Sequence, residues 1–118
     1  MAIGSLVLAL ALSAAPSSDW PPADGNYAPA EDVSCRERAP RVAYPRRLQR
    51  EGIGGLVVFR VTVDDRNGYV GAVVHESSGN AELDAAGMKV LPHWCFRSGV
   101  QDGVPIGGDI LVPMQFTP

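Results

Sequence analysis

Two cysteines, two histidines, an adjacent acid pair and a run of arginines are the residues of this 118-residue sequence whose types and spacing raise the question of chemistry. His75 falls at the end of a predicted strand and His93 stands beside Trp94. No nucleophile motif frames either, so both read as ordinary surface or half-buried side chains. Asp64 and Asp65 are neighbours; in a strand they point apart, so they read as turn residues and not as a carboxylate pair. Ser77-Ser78-Gly79 precedes a predicted helix, where backbone N–H groups can hold an anion. No phosphate-loop lysine accompanies it, and helix capping is the reading. Gly52-x-Gly54-Gly55 leads into a strand and therefore does not match a dinucleotide loop. His93, Cys95 and Cys35 lack a fourth ligand for zinc. The expectation is a protein that is no enzyme, with no cofactor and no metal.

Charge narrows the partners. The net charge is -3 with 19% charged residues, which argues against nucleic acid. Basic residues are nevertheless concentrated: Arg36, Arg38, Arg41, Arg46, Arg47 and Arg50 stand against the single acid Glu37. That run reads either as a solvated helix face or as a docking patch for an acidic segment or lipid headgroups.

The elements that position these residues fit one small domain. Met1–Ala15 is uncharged and contains the apolar run Leu6–Leu12, well short of the roughly 20 residues that span a bilayer. Small residues follow, so residues 1–18 resemble a signal peptide with cleavage expected within Ala14 to Ser18. Residues 19–34, rich in Pro, Ala and Asp, are expected to be a linker, and 35–118 the folded domain. A domain of that size buries only about 60–65% of its unfolded surface, so a staple is useful. Cys35 and Cys95 fit a single disulfide in an exported protein, two unrelated buried thiols being the alternative. Closing a loop of about 60 residues would stabilise by roughly 4 kcal/mol in the chain-entropy model.

Tyr44-Pro45 opens a short helix over Arg46–Glu51, which Gly52 stops. From Leu56 to Asp64, Val57, Phe59, Val61 and Val63 alternate with Val58, Arg60 and Thr62, the period of a half-buried strand. Asp65-Arg66-Asn67-Gly68 turns the chain into a second strand, Tyr69 to Glu76, whose facing the adjacent Val73-Val74 leave ambiguous and where a bulge would fit. Leu83, Ala86, Gly87, Val90, Leu91 and Trp94 form one helical stripe, which Pro92 should end near Leu91. Gly99 to Gly108 reads as a loop. Ile110, Val112, Met114 and Phe116 alternate as a closing strand, and Pro113 within it argues for an edge position. The fold class is α+β: a three-stranded antiparallel sheet with two helices packed on one face. Its expected core is Val57, Phe59, Val61, Leu83, Val90, Trp94, Val112 and Phe116.

This order of signals, from Tyr44-Pro45 through Gly52, Gly55, Asn67-Gly68, Leu83-Asp84, Trp94, Phe96 and Val112-Pro113 to Phe116, resembles the C-terminal domain of the TonB family over Arg41 to Phe116. The resemblance implies a periplasmic domain that binds the extended TonB-box peptide of outer-membrane receptors, which adds as a strand to the last β-strand. The peptide-binding residues it implies are Asp109, Ile110, Leu111, Val112 and Gln115, with Arg41, Arg46, Arg47 and Arg50 steering acidic flanks. It leaves room for a homodimer by strand exchange. Contact with the ExbB–ExbD motor is implied only where a membrane anchor precedes the chain, because Met1–Ala15 has no histidine. The alternatives are an accessory envelope module that transduces no energy, and a transducer whose anchor lies upstream of Met1.

Overall fold

The computed structural model describes residues 22–118, so the signal-peptide-like segment expected over 1–18 lies outside the described residues. The order is β1 (Ala30–Asp32), a 3-10 turn (Val33–Arg38), α1 (Arg46–Arg50), β2 (Gly55–Val63), β3 (Tyr69–Glu76), α2 (Ala81–Val90), β4 (Cys95–Arg97), β5 (Gly99–Gln101), β6 (Val104–Ile106) and β7 (Gly108–Phe116). Strands β3, β2 and β7 form an antiparallel sheet in that order. The fold is the expected α+β class.

Alternation in β2 decides which face is covered. Val57, Phe59, Val61 and Val63 are buried while Arg60 and Thr62 are exposed, as a period of two requires. Val112, Met114 and Phe116 of β7 join them, and Leu48 of α1 with Leu83, Ala86 and Val90 of α2 close the core from the helical side. All eight expected core residues are buried. Helix α2 begins where Asn80 Oδ1 accepts the N–H groups of Glu82 (2.9 Å) and Leu83 (3.3 Å). It ends at Val90, and Pro92 sits in the 3-10 turn that follows. Gly87 is a packing residue. A Cβ there would lie 2.7 Å from Phe59 Cζ and 2.9 Å from Met114 Sδ.

One ambiguity is resolved and two expectations are corrected. Val73 and Val74 stay in regular register opposite Arg60 and Phe59; the register shifts fall at the strand ends, passing over Val70 and His75. Gly99–Gly108 is not a loop but the hairpin β5–β6. Its turn residues Asp102 (φ 53) and Gly103 (φ 80) are both left-handed, the geometry that joins two adjacent strands. The stretch expected as linker carries β1, which pairs with β4 through Ala30↔Arg97, Glu31↔Phe96 and Asp32↔Cys95. Tyr27 continues that register onto Val100. A strap from Tyr27 to Asp32, the run 95–101 and β6 thus form a second small antiparallel layer.

Gly87→Ala should destabilise by about 1–3 kcal/mol in denaturant melts, overpacking Phe59 more than helix propensity gains. A second expectation concerns Asp84. Burial opposes its ionisation, but the Ser77 and Ser78 hydroxyls and the Ser78 N–H outweigh that and hold its carboxyl below the usual 3.8. A depressed folded-state value contributes stability above the unfolded value, near pH 4, that is lost as pH falls through the lower folded one. Melts from pH 6 to pH 2 should therefore show a smaller acid loss in Asp84→Asn than in the parent.

Candidate functional site

The sheet leaves two edges, and they differ. On β3 the pairing with β2 jumps from Glu76 to Val74 between Val58 and Phe59, and from Gly71 to Tyr69 between Thr62 and Val63. Such bulges interrupt an edge as a template for another strand. Strand β7 pairs with β2 without a break, from Gly55↔Phe116 to Val63↔Gly108. No described strand is hydrogen-bonded to its other side. Proline is tolerated in an edge strand where its nitrogen faces away from the neighbour. The strand period then gives Asp109, Leu111 and Gln115 the same outward-facing backbone as Pro113.

The residues expected to bind a partner divide along that line. Asp109 is exposed, and its Oδ1 accepts the Thr62 hydroxyl at 2.8 Å. Leu111 is 54% exposed on the face away from the helices, opposite Arg60, which in turn faces the exposed Val73 of β3. The Gln115 amide donates to the Phe116 carbonyl at 3.3 Å. Val112 is buried and Ile110 half-buried against the core, so these two have their side chains committed to the fold and their backbone turned to β2.

The arginines lie at one end of this edge. Tyr44 fixes the approach: its hydroxyl donates to the Ile53 carbonyl at 2.6 Å, and its ring meets Phe116 edge-on at 5.2 Å. Arg41 precedes that anchor, and Arg46, Arg47 and Arg50 follow on α1, all exposed. Arg47 is engaged, bonding Glu82 of α2 and Glu51. Arg41, Arg46 and Arg50 form no ion pair among the described residues. The Asp109 end of β7 is thus acidic and the Phe116 end basic.

The remaining candidates are structural. Cys35 and Cys95 are bonded, with Cα atoms 5.7 Å apart. The Asp64 carboxylate accepts the N–H groups of Arg66 and Gly68, which hold it below its usual range as a turn residue. His75 and His93 are exposed, and no metal-binding group of residues occurs among the described residues. Two contacts escaped sequence reading. Arg36 stacks 4.0 Å over the Trp94 ring and bonds Glu31 in bidentate fashion. Buried Ser98 donates to the Asp64 carbonyl and accepts the Asn67 N–H, tying the β2–β3 turn to the 95–101 run. Trp94 is far from Arg36 in sequence, as Asp64 and Asn67 are from Ser98, so no local signal announces the stack or the Ser98 bonds.

A family model for the C-terminal part of the Gram-negative bacterial TonB protein matches residues 40–118. The chain belongs to the TonB C-terminal domain family. It is similar to a protein named TonB in Vibrio cholerae serotype O1, 30% identical over 73 residues, which cover 62% of this chain and 30% of that protein. It is 32% identical over 85 residues to a TonB of Xanthomonas campestris pv. campestris strain B100, covering 72% of this chain and 38% of the relative. The chain therefore spans well under half the length of these relatives. No helix among its described residues is long and apolar enough to cross a membrane. The family match begins at residue 40, so the strap, the 3-10 turn and Cys35 lie outside it.

Replacing both cysteines by serine should lower stability by a few kcal/mol, up to about 4. Chemical denaturation of the oxidised parent and the double variant measures it.

Proposed function

We propose that this domain captures an extended peptide of a partner as an added strand on β7, in the periplasm, as part of TonB-dependent transport through outer-membrane receptors. One observation carries the reading: β7 is an edge with nine residues in unbroken register on one side and no strand on the other among the described residues. Backbone pairing supplies the affinity in such a mode, and flanking side chains supply the selectivity. Asp109, Leu111 and Gln115 would meet the peptide along the edge. Arg41, Arg46 and Arg50 would attract acidic residues near the Phe116 end, and Arg47 contributes less because Glu82 and Glu51 already neutralise it. The family and the two relatives named TonB support the transport setting. The TonB box of an outer-membrane receptor is the peptide this reading assigns. An ExbB–ExbD motor enters only through an anchored N-terminal part. The second reading, an accessory module that transduces no energy, draws support from the short reach between the apolar run and the first strand at Ala30.

Titrating the labelled domain with receptor TonB-box peptides should shift the amide signals of residues 109–116 and of the arginine segment. Affinity should fall with salt as the arginine attraction is screened. Leu111→Pro, which removes one outward donor, should weaken binding about 2- to 10-fold, the worth of one backbone hydrogen bond. No binding at millimolar peptide, or shifts confined to β3, would overturn the proposal.

A further inference from the structure

The turn between β2 and β3 places Asn67 directly before Gly68. In that dipeptide the asparagine side chain is prone to lose its amide, because glycine has no side chain to hinder attack of its nitrogen on the asparagine Cγ. Asn67 is exposed, so water reaches it and ammonia is free to leave. The folded turn nevertheless engages each group that the reaction needs. Asn67 Oδ1 accepts the Ser98 N–H at 2.8 Å, and the Asn67 N–H donates to Ser98 Oγ at 2.7 Å. Ser98 is buried, and its hydroxyl donates onward to the Asp64 carbonyl at 2.8 Å. The nucleophile is held as well. The Gly68 N–H donates to Asp64 Oδ1 at 2.7 Å, and the Gly68 carbonyl accepts the Asp64 N–H at 2.9 Å.

Deamidation begins when the Gly68 nitrogen gives its proton to a base and bonds to Asn67 Cγ. The bond from Cγ to the side-chain nitrogen then breaks, ammonia leaves with a proton taken from water, and a five-membered succinimide remains. Water opens that ring at either carbonyl, giving aspartate or isoaspartate at position 67. Closure requires the Asn67 side chain to swing over the Gly68 nitrogen and that nitrogen to shed its proton. Two bonds to a serine 31 residues away fix the side chain and backbone of Asn67 against the swing, at a φ of 62 that the turn itself imposes.

We infer that Asn67 is a deamidation site held closed by Ser98, and that its conversion records openings in which the 95–101 run parts from the β2–β3 turn. The record is one-way. Aspartate keeps an acceptor for the Ser98 N–H but adds a third carboxylate beside Asp64 and Asp65. Isoaspartate carries the main chain through the former side chain, lengthening the turn, so its N–H and its free carboxylate no longer match the two Ser98 groups. Either product closes less well than asparagine did. The inference is independent of which edge of the sheet takes a partner.

Incubation in mildly alkaline buffer tests it, with loss of Asn67 followed by peptide mapping for the mass gain and for isoaspartate. The oxidised domain is compared with an unstructured peptide of residues 61–73, with Ser98→Ala and with Gly87→Ala. The folded parent should react at least about tenfold more slowly than the peptide, since only its open fraction reacts. Ser98→Ala should move most of the way to the peptide rate, whereas Gly87→Ala, which weakens the core but keeps both Ser98 bonds, should stay near the parent. In the parent alone, the ratio of the two rates should match the open fraction read from hydrogen exchange at the Ser98 amide, which keeps the test decisive if Ser98→Ala does not fold. A parent as fast as the peptide or faster would overturn the inference, making Asp64 a base and the Ser98 N–H an activating donor. Ser98→Ala no faster than Gly87→Ala would overturn it too, since loss would then follow global unfolding. So would a rate ratio that departs from the exchange-derived open fraction by more than about tenfold.

Discussion

Phe59 lies at the centre of β2, fully excluded from water, and the fold depends on keeping it there. Its ring can reach the helix above only because position 87 of α2 has no side chain. Close approach of α2 to the sheet lets Leu83 and Val90 join Phe59 in one buried cluster, and Met114 of β7 comes against the same Gly87. Without this contact one sheet face and one helix stripe would each remain wet, and neither a hairpin nor a ten-residue helix is stable alone in water. The hydrophobic effect therefore acts through one shape match as much as through total area.

A core of this size has little margin. Its reinforcement is placed where packing is thinnest, at the chain's approach to the domain. The strap pairs backbone to backbone along 95–100, Arg36 roofs the Trp94 ring, and Cys35–Cys95 closes the arrangement. None of the residues in the 3-10 turn is buried. Hydrogen bonds and a covalent bond do there what burial does elsewhere.

The same economy explains the asymmetry of the edges. Strand β3 is interrupted at both ends by bulges, whereas β7 must stay regular to place Val112, Met114 and Phe116 on the core side. Core packing alone thus produces one straight, unprotected edge. Pro113 and the exposed charge of Asp109 restrain indiscriminate pairing there without covering it. An edge open enough to accept a peptide follows from how the core is filled.

Alternation in Leu56–Asp64, the Leu83–Trp94 stripe, the Asn67-Gly68 turn and the placement of Pro92 were legible because each is a local pattern whose period matches one element. They determined the sheet, both helices, all eight expected core residues and the edge position of β7. The β5–β6 hairpin was not read from the sequence, although Asp102-Gly103 supplies the two left-handed residues of its turn. The strap, the Ser98 bonds, the Arg36–Trp94 stack and the engagement of Arg47 by Glu82 were decided only in three dimensions. Each joins residues about 30 or more positions apart through backbone groups or long polar side chains, which carry no periodic signature. Burial writes itself into sequence as a period; pairing between distant segments is settled only when the fold brings them together.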